Sequence, residues 1–129
     1  MKKELRIFFT ALMFYTRIPC PGWVDHSEDY LNKATRYFPL IGWLIGLAMA
    51  LVLYGSLFIL PISLSVILAL AVSVLMTGAF HEDGFGDVCD GFGGGWTKSQ
   101  ILEIMKDSRV GTYSVVGFIL LFALKMAVL

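Results

Sequence analysis

The chain has 129 residues, of which 57% are hydrophobic and only 16% are charged, and its mean hydropathy is +0.76. These values lie outside the range of ordinary soluble domains and indicate an integral membrane protein. Because the formal net charge is zero, there is no broad basic field to attract nucleic acid, and we expect no nucleic-acid partner.

The amino-terminal stretch, residues 5–18, is apolar enough to form a helix. Arg6 and Arg17 bracket only ten residues within it, about half of the roughly 20 that a membrane crossing needs. We therefore expect this stretch to lie in the interface or to re-enter the membrane. Pro19 and Pro21 are expected to end it, because proline cannot donate a helical hydrogen bond. A polar connector with a short helix is predicted over residues 22–38.

Two long uncharged runs follow, residues 40–60 and 62–80. Each is long enough to cross the hydrocarbon core, and Pro61 marks a tight reversal between them. The sequence therefore predicts a transmembrane helix hairpin. Small residues four positions apart in the first run would let another helix approach closely: Gly42, Gly46 and Ala50.

The distribution of cations predicts the orientation of this hairpin. Nine of the ten Lys and Arg residues lie before residue 40 or within residues 81–112, and none lies near Pro61. The positive-inside rule makes that side cytoplasmic. We expect the membrane to be the cell's inner membrane. Residues 113–129 are apolar and predict a truncated third transmembrane helix. We expect Lys125 to extend to the far membrane face, with pairing inside the bundle as the alternative.

Residues 81–112 form a polar island between these apolar segments, and the acidic residues at its start suggest a metal site. Asp83, Asp87 and Asp90 are spaced i, i+4 and i+7, so on a helix they would project within an arc of about 60°. Clustered carboxylates repel each other unless a cation lies among them, and oxygen ligands suit Mg²⁺. The alternative is a solvated acidic loop.

The glycines of the island argue against a regular helix. Gly84, Gly86 and Gly91 each cost about 1 kcal/mol in a helix relative to alanine, and they permit close approach of a ligand. Residues 91–95, GFGGG, match no nucleotide-binding fingerprint and are expected to form a flexible connector or lid. The fold class is therefore predicted as all-α, with the hairpin, a cytoplasmic acidic active-site loop and the truncated third helix in one membrane domain, 1–129.

After the glycines, Thr97 and Gln100 predict a capping box that opens a short helix through Asp107. At its end Lys106, Asp107, Ser108 and Arg109 bring together two cations, a carboxylate and a hydroxyl. Arg109 is suited to hold a phosphate in a bidentate fork. The alternative is that these cations complement the helix dipole. An acidic metal site beside phosphate-binding cations suggests phosphoryl or nucleotidyl transfer to a membrane-associated substrate.

Four motifs, in order through most of the chain, resemble cobalamin synthase, the adenosylcobinamide-GDP ribazoletransferase family: TRIP at 16–19, FPLIG at 38–42, HEDGFGDVCDG at 81–91 and LEIMKDSRVGT at 102–112. The resemblance implies an integral membrane enzyme that uses Mg²⁺. Such an enzyme joins α-ribazole, or its 5′-phosphate, to adenosylcobinamide-GDP and releases GMP, which is the last assembly step of adenosylcobalamin. Family members continue with further membrane segments, so the chain is expected to be the amino-terminal part of a longer polytopic enzyme.

Together with this resemblance, the residues receive roles in three groups. Catalytic roles fall to His81, Asp83, Asp107 and Arg109. Substrate binding falls to Arg17, Lys106, Ser108 and Arg109, and Mg²⁺ binding falls to Asp83, Asp87 and Asp90. Histidine suits proton transfer near neutral pH, so His81 is the first candidate for the base, with Asp83 or Asp107 as alternatives and a simple capping role also open. The expected partners are the two substrates and the lipid bilayer, and a homo-oligomer is left open.

Two other functions stay open from the sequence. CDP-alcohol phosphotransferases share the opening Asp87-x-x-Asp90-Gly91, but here Gly94 and Gly95 replace the Ala-Arg of that motif, and no later D-x-x-x-D follows. The other is a non-catalytic membrane subunit, or a transporter fragment, with an acidic ion site.

Overall fold

The computed structural model describes residues 2–24 and 27–129, and every regular element in these ranges is helical. Helix contacts divide the chain into two compact units, Met1–Gly78 and Ala79–Leu129. The first unit contains α1 (Lys2–Tyr15), α2 (Glu28–Ala34), a 3₁₀ turn (Thr35–Tyr37), α3 (Phe38–Ser56) and α4 (Ile62–Thr77). The second contains α5 (Phe80–Gly94), α6 (Lys98–Ile104) and α7 (Thr112–Val128). The predicted all-α class is confirmed, and the single membrane domain stays a prediction.

The amino-terminal helix α1 buries one face in the first unit. Ile7, Ala11 and Leu12 are spaced by roughly one helical turn and are buried together with Ile41 and Ile45 of α3. Helix α1 is therefore docked on α3 through its apolar face, and its interfacial or re-entrant position in the membrane stays a prediction.

Helix α1 ends at Tyr15, before the end predicted at residue 18. The Thr16 hydroxyl donates to the Leu12 carbonyl at 2.5 Å, and the Arg17 amide donates to the Met76 carbonyl at 2.7 Å. Because these bonds turn the chain toward the end of α4, the helix stops before either proline. The short helix predicted in the connector is α2, while Asp25 and His26 of that connector lie outside the described residues.

Helices α3 and α4 pack against each other as the predicted pair of apolar helices, and the crossing of the membrane by both stays a prediction. The turn between them is longer than predicted, because α3 ends at Ser56 instead of residue 60. Helix α4 ends at Thr77 instead of residue 80, since Gly78 and Ala79 both adopt left-handed conformations, with φ of 66° and 61°. The helical hydrogen-bond ladder cannot continue through two such residues.

The apolar surface of the first unit fits a membrane environment. Of the described helices, one is long and apolar enough to cross a membrane, the continuous helical stretch Glu28–Ser56, and a second exists only if α4 and α5 count as one broken span. The most apolar window of Glu28–Ser56 is only 11% buried, and Trp43 on it is 80% exposed. A soluble protein would bury such a helix in its core, whereas lipid can cover it. Helix α7 is apolar but shorter.

The acidic island begins with a regular helix, α5, where the sequence predicted a loop. The prediction of a loop was wrong. The glycines have no side chains, so neighbouring segments pack closely against α5 and stabilise it as a helix. A Cβ atom at Gly86 would lie 2.5 Å from the Phe118 ring of α7, and one at Gly91 would lie 2.7 Å from Met105. Residues 91–94, predicted as a connector or lid, are the last turn of α5. Close packing offsets the helical cost of these glycines.

Candidate active site

Helix α5 presents the three predicted acidic residues on one face. At about 100° per residue, Asp83, Asp87 and Asp90 fall within an arc of about 60°, which the observed helix provides. His81 lies two residues before Asp83, about 200° around the same helix. Its side chain is exposed at the first turn, close to the Phe80 ring. The predicted base and the acidic face therefore lie on opposite sides of α5.

The capping box predicted at Thr97 is confirmed and starts the short helix α6. The Thr97 side chain accepts from the Gln100 amide, and the Gln100 side chain accepts from the Thr97 amide at 3.1 Å. The helix ends at Ile104, three residues before the predicted end. The following residues form a turn with hydrogen bonds from Lys106 to Glu103 and from Asp107 to Ile104. This turn presents the residues 106–109 beside α5.

One cleft of about 270 Å³ brings together most of the predicted site residues. Asp83 and Asp87 of α5 line one side of it, and four residues of the turn after α6 line the other: Lys106, Asp107, Ser108 and Arg109. Carboxylates, ammonium, guanidinium and hydroxyl groups thus share one mostly polar space. Such a set can hold a phosphorylated ligand and a hard cation together.

Arg109 and Asp107 form a bidentate ion pair on the turn. The Arg109 Nε atom donates to both carboxylate oxygens, at 3.1 and 2.9 Å, and the Arg109 amide donates to Oδ1 at 3.1 Å. These hydrogen bonds lower the pKa of Asp107 below its ordinary value and raise the pKa of Arg109. Both members of the pair are therefore charged at neutral pH. Its guanidinium plane is fixed while the Arg109 side chain stays 88% exposed.

Asp90 has a different environment from the other two acidic residues. One carboxylate oxygen accepts from the Gly111 amide at 2.7 Å and the other from the Ser114 amide at 3.0 Å, and the Ser114 hydroxyl also lies against it. These amides belong to the first turn of α7, so Asp90 caps that helix from α5. The sequence reasoning missed Ser114, whose signal was a hydroxyl in the first turn of an otherwise apolar helix.

A second, larger cleft of about 470 Å³ lies on the other side of the same turn. Asp107, Arg109 and Val110 line both clefts. The larger one is mostly apolar and also includes Ile104 and Tyr113. His81 is not part of the lining of either cleft among the described residues.

Two of the three predicted acidic ligands share the smaller cleft. In the part of the chain that the structure describes, no three His, Cys, Asp or Glu side chains are grouped closely enough to hold a metal ion. Asp83 and Asp87 both face the smaller cleft, whereas the Asp90 oxygens are occupied by α7 donors. Mg²⁺ commonly takes one or two carboxylates and completes its shell with water and substrate phosphates. The pair fits that pattern.

Comparison with known proteins then decides the family. Residues 7–129 match cobalamin-5-phosphate synthase. The chain belongs to the cobalamin-5-phosphate synthase family. Since the match covers almost the whole chain, it favours the first resemblance drawn from the sequence over the CDP-alcohol phosphotransferases.

Relatives of this cobalamin-5-phosphate synthase family member carry the name adenosylcobinamide-GDP ribazoletransferase. The protein from Shewanella frigidimarina is 53% identical over 127 residues, which are 98% of this chain and 49% of that protein. The one from Leptospira interrogans is 49% identical over all of this chain and 49% of its own length. The chain thus spans about half the length of the curated relatives it matches. No solved structure matches it.

Arg17, the remaining predicted substrate-binding residue of this synthase family member, lies in the first unit. Its guanidinium group passes over Gly78, where a Cβ atom would lie only 2.1 Å from Nε. Glycine at this position therefore does two things: it allows φ of +66° and it leaves room for the arginine. The substrate-binding role of Arg17 stays a prediction.

An ion pair with a buried carboxylate joins the first turn of α5 to the last turn of α7. Lys125 Nζ donates to Glu82 Oε1 at 2.8 Å, and the Glu82 side chain is only 9% exposed. The prediction that Lys125 extends to the far membrane face was wrong, and the alternative of pairing inside the bundle is what the structure shows. This ion pair is stronger than one at the protein surface, because little solvent reaches the carboxylate to compete for the ammonium group.

Proposed function

We propose that this chain is the amino-terminal part of an adenosylcobinamide-GDP ribazoletransferase that works in the cell's inner membrane. The reaction joins α-ribazole, or its 5′-phosphate, to adenosylcobinamide-GDP and releases GMP. The observation that carries the proposal is the smaller cleft, where Asp83 and Asp87 face Lys106 and Arg109. The names of the relatives support the substrates.

The cations of the turn are proposed to bind the diphosphate of adenosylcobinamide-GDP. Asp107 holds the Arg109 guanidinium plane in place, and the outward edge of that plane is free to meet phosphate oxygens in a fork. Lys106 adds a second, mobile charge beside it. Charge that develops on the departing GMP phosphate would be neutralised by these groups without further reorganisation.

Asp83 and Asp87 are proposed to hold Mg²⁺, with the substrate phosphates completing its shell. When bound, the cation would supply charge neutralisation at the phosphate under attack. Asp90 would contribute indirectly, because its hydrogen bonds to Gly111 and Ser114 fix α7 against α5. This assignment narrows the three-residue metal site predicted from the sequence to two direct ligands.

The proton of the attacking ribazole hydroxyl needs an acceptor in the cleft. His81 was the first candidate, but it lies on the opposite side of α5 from Asp83. Asp107 accepts hydrogen bonds from Arg109 on both carboxylate oxygens, so it is committed to holding the guanidinium group. We therefore place this role on Asp83, which lines the cleft.

The proposal is tested by assaying the full-length protein in membranes with adenosylcobinamide-GDP and α-ribazole. The expected result is a cobalamin product together with an equal amount of GMP, and both depend on added Mg²⁺. If the protein binds Mg²⁺ but consumes neither substrate, the non-catalytic ion-site alternative becomes the better account.

Replacing Arg109 by Lys is expected to lower kcat/KM for adenosylcobinamide-GDP by about tenfold, because a single ammonium cannot reproduce the two parallel bonds of a guanidinium. Arg109→Ala is expected to lower it further. Steady-state kinetics of the full-length enzyme provide the measurement, and Lys98→Ala, an exposed cation at the start of α6, is the control. Unchanged kinetics in Arg109→Ala would leave the helix-dipole role as the better explanation.

The cytoplasmic position of the island is tested with two single-cysteine variants in a cysteine-free background. Trp96, after α5, is 93% exposed, and Ile59, in the hairpin turn, is 84% exposed. In intact cells a membrane-impermeant maleimide should label Trp96→Cys only after the cells are opened, whereas Ile59→Cys should react from outside. The reverse pattern would show that the orientation is inverted.

A further inference from the structure

The larger cleft beside the turn has the features of a site for a planar ring. It is mostly apolar, with Ile104, Val110 and Tyr113 in its walls. The charged side chains that also line it are Asp90, and Asp107 and Arg109 at the border with the smaller polar cleft. A nucleoside has the same division: an apolar, planar base at one end and a sugar with oxygen substituents or phosphate at the other. The two clefts share the residues that would lie next to the phosphate.

Tyr113 is held in a position that suits stacking. A Cβ atom at Gly93 would lie 2.4 Å from ring atom Cγ, 2.7 Å from Cδ1 and 2.6 Å from Cδ2. A point near Cγ and almost equally distant from both Cδ atoms lies over the ring, so one face of Tyr113 rests on the α5 backbone. Any side chain at position 93 would displace it. Tyr113 is nevertheless 56% exposed, which leaves its other face available.

We propose that Tyr113 is a stacking platform for the base of a nucleoside substrate in the larger cleft. This inference rests on the proposed function, which supplies two base-bearing substrates: α-ribazole and the GDP part of adenosylcobinamide-GDP. Stacking on an aromatic side chain tolerates any planar base, and the ring is already ordered by Gly93 before ligand arrives.

The test compares Tyr113→Phe and Tyr113→Leu in the full-length enzyme, with KM measured separately for each substrate. Tyr113→Leu should raise KM for one of the two substrates by about tenfold, the amount expected for one lost base stack. Tyr113→Phe should stay near the starting value because it keeps the ring. A rise confined to α-ribazole identifies its base as the ligand, and a rise confined to adenosylcobinamide-GDP identifies guanine. The control is Phe92→Leu, an exposed ring of α5 outside the lining of the larger cleft.

Three results would overturn the proposal. The first is an unchanged KM for both substrates in Tyr113→Leu, and the second is a fall in kcat that is equal for both substrates. The third is a KM in Tyr113→Phe that is as high as in Tyr113→Leu. Equilibrium dialysis with α-ribazole and with GDP, without turnover, separates this inference from the proposed function. If the protein binds α-ribazole or GDP in a manner that depends on Tyr113 but makes no cobalamin, only the proposed reaction is contradicted. If turnover does not depend on Tyr113, only the proposed stacking role is contradicted.

Discussion

Replacing Asp87 by Asn is expected to reduce the formation of cobalamin by about 100-fold or more in the full-length enzyme. The substitution keeps the size and polarity of the side chain but removes one of the two carboxylates that line the smaller cleft. A divalent cation at a phosphoryl centre supplies several kcal/mol of charge stabilisation, and each tenfold in rate corresponds to about 1.4 kcal/mol. Losing half of its protein ligands should therefore remove most of the activity.

Product formation and Mg²⁺ dependence should be measured together for this variant. Partial recovery at high Mg²⁺ concentration would agree with weaker binding of the ion. Glu103→Gln is the matched control, because Glu103 is an exposed carboxylate on α6 outside the lining of the cleft. Near-normal turnover of Asp87→Asn at low Mg²⁺ would contradict the metal assignment, provided that membrane insertion is equal.

Replacing Lys125 by Met is expected to destabilise the protein by about 3 kcal/mol, because it leaves the Glu82 carboxylate buried without its cation. The Glu82 carboxylate is already incompletely paired, since its second oxygen, Oε2, is buried without a hydrogen-bond partner in the described structure. Glu82→Gln should cost less, because Lys125 is 35% exposed and can move its ammonium group toward solvent or headgroups.

The double variant Glu82→Leu with Lys125→Met shows how much the ion pair itself contributes to the free energy of unfolding, apart from the cost of leaving one partner unpaired. Its stability should return close to that of the starting protein, since two apolar side chains of similar volume need no compensation. Unfolding by denaturant in detergent gives the measurement, and Lys98→Met, at an exposed site on α6, controls for the loss of a cation. A double variant as unstable as Lys125→Met would show that the carboxylate is not the cause.

The apolar helices and the helix cap were predictable because each leaves a local pattern in the sequence. The hairpin follows from two long uncharged runs around Pro61, and the start of α6 follows from Thr97 and Gln100, three residues apart. Such patterns depend on the backbone periodicity and on near neighbours in the chain, and tertiary packing alters only their ends. The end at Thr77 came earlier than predicted because Gly78 and Ala79 adopt left-handed conformations.

The helical state of α5 could not be predicted in the same way, because it depends on which side chains approach its glycines. Phe118 belongs to α7 and Met105 follows the end of α6, and no pattern near Gly86 or Gly91 in the sequence predicts these contacts. The partners of Asp90 and Lys125 are also far away along the chain, at positions 114 and 82, which are 24 and 43 residues distant. A spacing rule found the acidic face, but only the fold distinguishes the two carboxylates of the cleft from the one that caps α7.

The glycines of α5 also have a consequence for how this sequence can change over evolutionary time. A Cβ atom at Gly84 would meet nothing within 4 Å. One at Gly86 would lie 2.5 Å from the Phe118 ring and 3.3 Å from the Ser114 hydroxyl, and one at Gly93 would lie 2.4 Å from the Tyr113 ring. Position 84 can therefore accept residues with larger side chains without a steric clash. At positions 86 and 93, a larger residue is compatible with the helix only if the ring opposite becomes smaller, so lineages should change these positions in pairs and keep the spacing between helices constant.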